Sequence, residues 1–318
     1  MLLEVAALNL ATKTALVVRD LSFALDQGET LGIVGESGSG KTMTALALIG
    51  LLPEGVRASG AIRFDGRDLL RLDDAAMQML RGGSVAMIFQ EPMTALNPLQ
   101  TIGHQIAEPL RLHRGLTRSQ AFAQATTLLS SVALPERVAT AHPHMLSGGQ
   151  RQRALIAMAL SCGPKLIIAD EPTTALDVTV QAQILQLIAM LRTQHNMALI
   201  LVSHDLAIVA RQCERVLVMY GGMVMESGRV ADVLAQPVHP YTRALLDARP
   251  GVGALRGQRL NAIPGAPPSS AEMPSGCPFA PRCPHAIPAC NAAPPRLVAL
   301  ANDRHARCIR VDAEGRLT

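Results

Sequence analysis

Two stretches of this sequence combine residue types suited to phosphate chemistry. "GESGSGKT" (35–42) has the spacing G-x-x-x-x-G-K-[ST] and directly follows the apolar run "TLGIV". Gly35, Gly38 and Gly40 leave backbone N–H groups free to converge on phosphate oxygens, with Glu36, Ser37 and Ser39 completing the turn. Lys41 is then placed to reach the β- and γ-phosphates of a nucleotide, and the Thr42 hydroxyl to ligate Mg²⁺. "KLIIADEP" (165–172) is an apolar run that ends in two acids. Adjacent carboxylates at the end of a buried strand repel each other unless a cation lies nearby. Asp170 suits a Mg²⁺ partner, directly or through water, and Glu171 is placed to polarise an attacking water. Gln90 in "MIFQEP" and His204 in "LVSHD" also follow apolar runs. Each alone reads as an ordinary polar residue at a strand end. In this company both point to the sheet edge that holds the phosphates.

"LSGGQRQR" (146–153) raises a second question. Ser147 is a good N-cap, and Gly148 and Gly149 leave the backbone of the first turn, with Gln150, open to an anion. A capped helix would explain the residues by itself. Yet a second anion-binding helix end in a domain that already owns a phosphate loop needs a second anion, or a shared one.

The elements that position these residues alternate. "TLGIVG", "KLIIAD", "ALILVS" (198–203) and "RVLVMY" (215–220) are continuous apolar runs that suit strands buried on both faces. Segments 41–51, 148–161 and 179–193 carry helical spacing. That alternation predicts an α/β domain with a parallel sheet over residues 1–235, interrupted by a helical insertion at about 93–146. After 235 the composition shifts, and 11 of the 21 prolines fall between 250 and 295. Residues 236–318 read as a small, irregular Cys/Pro-rich module or a partly extended tail.

Composition narrows the function. Of 318 residues 49% are apolar but only 2% aromatic, with no Trp, so the core must be built from Ala, Leu, Ile, Val and Met. The same scarcity argues against a base-stacking surface for single-stranded nucleic acid. A net charge of +4, spread along the chain, does not form a nucleic-acid groove. No apolar run approaches the ~20 residues that span a bilayer. "MLLEVAALNL" has Glu4 and no basic stretch, unlike a secretory signal. A cytoplasmic chain with reduced thiols is expected, in which Cys162 and Cys213 are inert core residues. Cys277, Cys283, Cys290 and Cys308 crowd the C-terminal end at spacings too wide for the usual zinc pairs. Thiolates on such loops can surround a larger cluster, and zinc or no ligand remain open.

"GESGSGKT", "FQEP", "LSGGQRQR", "IIADEP", "TTALD" (173–177) and "SHD" occur in that order and resemble the six nucleotide-site motifs of ATP-binding cassette (ABC) ATPases. The resemblance covers about residues 1–235. It implies ATP and Mg²⁺ as ligands, and a head-to-tail pair of cassettes. Ser147, Gly148, Gly149 and Gln150 of one chain would then cap the γ-phosphate bound by the other, with Asp177 crossing the same interface. "VHPYTRALLDARP" (238–250) is similar to the segment that follows the cassette in oligopeptide, dipeptide and nickel importers. In that group the subunit lies on the cytoplasmic face of the inner membrane. It powers two membrane permease subunits fed by an extracytoplasmic solute-binding protein, usually beside a second, different cassette chain. A groove between the helical insertion and the core would accept a cytoplasmic helix of the permease. The four-cysteine tail resembles one that holds a four-iron four-sulfur cluster.

The resemblance thus implies an ATPase driving import, of di- or oligopeptides first and of nickel or a metal chelate second. Non-transport ABC ATPases are a poorer match: the chain has one cassette and no sustained heptads. A regulatory module built on the cysteine tail would leave the intact phosphate motifs without a use. One position departs from the family. Its adenine usually stacks on an aromatic near the N-terminus, whereas the first aromatic here is Phe23, in an apolar strand context. The stacking position is expected near Leu10 or Ala11, so adenine would rest on aliphatic atoms.

Overall fold

The computed structural model describes residues 1–174, 176–248, 263–312 and 314–317. Ala175 of "TTALD", Arg249 and Pro250 of the His-Pro-Tyr stretch, and the rest of 251–262 lie outside the described residues.

In chain order the strands begin with β1 (Leu3–Ala11), β2 (Leu16–Leu25), β3 (Thr30–Val34), β4 (Arg57–Phe64), β5 (Arg67–Asp68) and β6 (Val85–Ile88). They continue with β7 (Leu166–Asp170), β8 (Ala198–Ser203), β9 (Arg215–Tyr220), β10 (Met223–Arg229), β11 (Val298–Leu300) and β12 (Arg304–Ala306). The helices that matter for the site are α1 (Lys41–Leu48), α2 (Asp74–Leu80), α3 (Pro92–Ala95), α4 (Ile102–Arg114), α5 (Arg118–Ser131) and α6 (Gly148–Leu160). Beyond them lie α7 (Val178–His195), α8 (Leu206–Gln212), α9 (Val230–Ala235) and α10 (Pro240–Asp247).

The four runs read as buried strands are β3, β7, β8 and β9. With β6 they form a parallel array in the order β9-β3-β8-β7-β6. Every residue of β3, β7 and β8 is buried, as covering by helices on both faces requires. One apolar cluster fills each side of this sheet. Because the strands run parallel, their C-terminal ends share one edge, and loops leaving that edge meet. A separate antiparallel sheet, β2-β1-β4-β5, packs on the first half of the cassette. Its half-exposed strands carry mixed residues, and for that reason they were not legible as continuous apolar runs.

Between β6 and α6 lie α3, α4, α5 and two 3-10 turns at Glu136–Thr140 and Pro143–Met145, with no strand. Local signals set their limits: Thr117 and Gln120 form a reciprocal capping box at the start of α5, and Gly115 ends α4 with φ +63°.

The C-terminal segment is built largely of 3-10 turns, yet it does not stand apart. β12 pairs antiparallel with β10 and carries β11 outside it, which extends the main sheet. The joint is sealed by Glu226, whose fully buried carboxylate accepts from Arg304 Nη2 (2.8 Å), Val238 N (3.0 Å) and His239 N (2.9 Å). An unpaired carboxylate there would be costly; three donors compensate it. Both tyrosines of the chain, Tyr220 and Tyr241, are fully buried against Phe279, with ring centroids 4.6–5.3 Å apart. Among the described residues no helix is long and apolar enough to cross a membrane.

Candidate active site

The phosphate loop joins β3 to α1. Gly38 (φ +77°) and Gly40 (φ +95°) adopt left-handed backbone, which glycine reaches without strain. The loop and α1 wall an open cavity of about 660 Å³, together with Val17, Gln90, Glu171, His204 and Leu245. Lys41 is buried, and its Nζ donates to the carbonyls of Gly35 (2.8 Å) and Glu36 (2.9 Å). Burial lowers its pKa, while the nearby carboxylates of Glu171, Asp170 and Glu36 pull it back up.

Asp170 ends β7 and is buried; its Oδ1 lies 3.4 Å from the Thr42 hydroxyl, which points toward it. Burial raises the Asp170 carboxyl above the usual range, against the Thr42 hydrogen bond. A buried carboxylate facing a hydroxyl, with a second carboxylate next to it, is the donor set of a hard dication. Thr42 and Asp170 therefore fit Mg²⁺, and Gln90 lines the same cavity as Thr42.

Glu171 has a left-handed backbone, φ +44°, unusual for a residue with a side chain, and its N–H donates to Val202 O (3.0 Å). Its carboxylate lies on the cavity of the phosphate loop. One oxygen, Oε2, accepts from Gln90 Nε2 (3.3 Å) and Thr174 Oγ1 (3.0 Å), with His204 Nδ1 3.2 Å away. Its own loop and the loops after β6 and β8 thus orient one carboxylate, an arrangement suited to a general base. Gln90, Glu171 and His204 meet as the motifs implied. Thr174, the second threonine of "TTALD", joins them through its hydroxyl, three residues along the chain from Glu171.

Ser147, Gly148, Gly149 and Gln150 are not among the residues that wall this cavity. Ser147 caps α6, its Oγ accepting from Gln150 N, while Gln150 Oε1 accepts from Ser147 N (3.0 Å). Ser147 and Gly148 are exposed. Gly149 packs tightly, since a Cβ there would sit 2.8 Å from Val180 Cγ1. Asp177 is an exposed N-cap of α7 that accepts from Val180 N (2.9 Å). Leu10 and Ala11 do not wall the cavity either: Leu10 is fully buried in β1. Val17 and Leu245 line the cavity instead, so its aliphatic surface comes from β2 and α10. Leu245 escaped the sequence reading because nothing local ties it to the loop.

Cys162 and Cys213 are buried, and burial raises both thiols, Cys213 to about 12. Cys277, Cys283, Cys290 and Cys308 line one small cavity with His239 and Phe279. Burial raises Cys283, Cys308 and Cys277, the last to about 11. Among the described residues no three His, Cys, Asp or Glu are grouped so as to hold a metal ion. That observation bears on zinc and on an iron–sulfur cluster alike. The iron–sulfur expectation has the convergence of four thiols on one cavity and nothing more.

A family model described as ABC transporter matches residues 18–174, and one described as Oligopeptide/dipeptide transporter, C-terminal region, matches 225–290. The oligopeptide transport ATP-binding protein OppD of Salmonella typhimurium is 51% identical over 295 residues, 92% of this chain and 88% of that one. OppD of Escherichia coli is 52% identical over 280 residues, 87% and 83% of the two chains. Among solved structures, the dimeric post-hydrolysis state of the ATP-binding cassette MJ0796 bound to ADP and Pi matches with TM-score 0.65 and 27% identity, covering 72% of this chain and 98% of that one. Nucleotide loop, signature helix and C-terminal segment are thus shared with proteins of one kind, and this chain belongs to the ABC transporter family, among its oligopeptide/dipeptide ATP-binding subunits.

Proposed function

We infer that this chain hydrolyses ATP to power an importer of di- or oligopeptides. The observation that carries the reading is the oriented carboxylate of Glu171 beside the Thr42–Asp170 pair, on the cavity of the phosphate loop. Relatives named for oligopeptide transport favour peptides over nickel or a metal chelate as cargo. The named catalytic roles are proposals of the same standing. Lys41 and the loop N–H groups grip the phosphates. Thr42, Asp170 and Gln90 would hold Mg²⁺, which when bound neutralises phosphate charge. Glu171 takes the proton of the attacking water, and His204 steadies the γ-phosphate.

Ser147 and Gly148 stand exposed, and all four signature residues lie outside their own chain's cavity, which supports a site completed by a second cassette. Val178 (81% exposed) and Met145 (63% exposed) flank Asp177 and Ser147 and offer that cassette apolar surface. Ser147 and Gly149 then cap the phosphate held by the other chain, and Asp177 lies at the same contact. The remaining partners are two permease subunits and an extracytoplasmic binding protein, with this subunit peripheral on the cytoplasmic face of the membrane. For the cysteine tail, the reading is an iron–sulfur cluster on Cys277, Cys283, Cys290 and Cys308, and its one support is that the four line the same small cavity. Anaerobically prepared protein with no iron and no thiolate–iron absorbance would remove it.

The test of function is reconstitution. The chain, co-purified with its permease subunits in vesicles, should take up a labelled short peptide in an ATP- and binding-protein-dependent way. Uptake of nickel instead would move the reading to the metal importer. ATP turnover without co-purifying membrane subunits would move it to a non-transport ATPase.

A further inference from the structure

Glu36, the second residue of the phosphate loop, is held from three sides. Its N–H donates to Tyr241 Oη at 2.9 Å. Its carboxylate takes the fork of Arg282, Nη1 at 2.5 Å and Nη2 at 3.1 Å. Its carbonyl accepts from Lys41 Nζ at 2.9 Å. The third contact belongs to the phosphate-gripping machinery, while the first two come from beyond residue 235.

Arg282 is itself anchored. Its side chain is 6% exposed, and Nη1 also donates to Tyr220 Oη (3.0 Å). Nε donates to Pro264 O (2.9 Å), and the guanidinium lies over the Tyr220 ring, 5.7 Å from its centroid. Tyr220 and Tyr241 pack on Phe279, and Cys283 follows Arg282 in the chain. A forked ion pair fixes direction as well as distance, which a lysine would not reproduce.

We propose that Arg282 and Tyr241 are positioning residues for the phosphate loop: through Glu36, the C-terminal segment holds the loop in its nucleotide-ready shape and so sets ATP affinity. A glycine-rich loop has more backbone freedom to lose than an ordinary one. Ordering it at the moment of binding would subtract from affinity, and a pre-set loop avoids that loss. The proposal deepens the ATPase reading above and rests on it.

The experiment compares Arg282→Met, Arg282→Lys and Tyr241→Phe with Arg304→Met. The last breaks another buried ion pair of the same segment, Arg304–Glu226, away from the loop. MgATP binding to the isolated subunit and the KM and kcat of the assembled transporter are read together. Arg282→Met should weaken ATP binding about tenfold, expressed in KM, with kcat at saturation within about twofold of wild type. Arg282→Lys should recover part of that loss. Glu36→Gln combined with Arg282→Met should be no worse than either alone, since both remove the same pair. Arg304→Met should lower thermal stability and leave KM alone. Equal KM changes in Arg282→Met and Arg304→Met at matched stability would overturn the proposal. If Arg282→Met does not fold, Tyr241→Phe, which deletes one oxygen, should still raise KM about threefold. Unchanged KM in both Tyr241→Phe and Arg282→Lys would overturn it too. Wild-type protein that binds no ATP would instead sink the ATPase reading.

Discussion

The hydroxyl of Thr42 and a carboxylate oxygen of Asp170 lie 3.4 Å apart, although 128 positions separate them in the chain. The pairing of β3 and β7 on either side of β8 creates this contact. It places the first helical residues after the phosphate loop against the acid that ends β7.

Burial raises the Asp170 carboxyl, so the folded protein binds its proton more tightly than the unfolded chain does. Without metal, that group's contribution to stability is therefore lost as pH rises above the unfolded carboxylate pKa. Mg²⁺ needs the ionised form and should reverse the loss. Mg²⁺ is expected to raise the thermal midpoint near neutral pH and to do so less in mild acid. Asp170→Asn should remove the effect; a midpoint that responds to Mg²⁺ equally in both proteins would place the metal elsewhere.

Glu171 is held by Gln90, Thr174 and His204 around one oxygen. Glu171→Gln keeps the shape and removes the base, so ATP should still bind while hydrolysis falls by about 10²–10⁴. Thr174→Val should give a milder loss in kcat at unchanged ATP affinity. Single-turnover hydrolysis and equilibrium ATP binding measure the two, and near-normal turnover by Glu171→Gln would move the base to another residue.

Val17 and Leu245 face the phosphate cavity with aliphatic atoms. Such a surface does not distinguish bases by hydrogen bonds, and apolar pockets discriminate weakly. GTP is expected to compete with ATP within about tenfold, and Leu245→Ala to weaken both nucleotides alike. Competition binding would contradict this if ATP were preferred by several orders of magnitude.

Ser147 is exposed and outside its own chain's cavity. Ser147→Arg should leave ATP binding by the lone subunit unchanged and lower turnover of the assembled transporter by roughly 10² or more, the cost of a lost oxyanion-type donor. Parallel binding and turnover assays check it, and equal loss in both would mean that the signature helix serves its own chain.

Local order was legible in the residues themselves. The "GESGSGKT" loop, the acids after "KLIIA" and the Ser147 cap depend on glycine freedom, strand burial and helix-end hydrogen bonding, all short-range effects written in neighbouring residues. Their resemblance to one family then carried the site as far as Gln90, Glu171 and His204. The sheet β2-β1-β4-β5 and the pairing of β12 with β10 left no comparable trace, because register shifts break the alternation of β1 against β2 and a three-residue strand is too short to show a period. Contacts between distant segments were decided by tertiary structure alone. Arg282 reaches Glu36 across 246 positions, and Leu245 of α10 joins a cavity built on β3. No local pattern encodes such meetings: they follow from which strands pair, and from a buried carboxylate or guanidinium having to find its partner wherever the fold brings one.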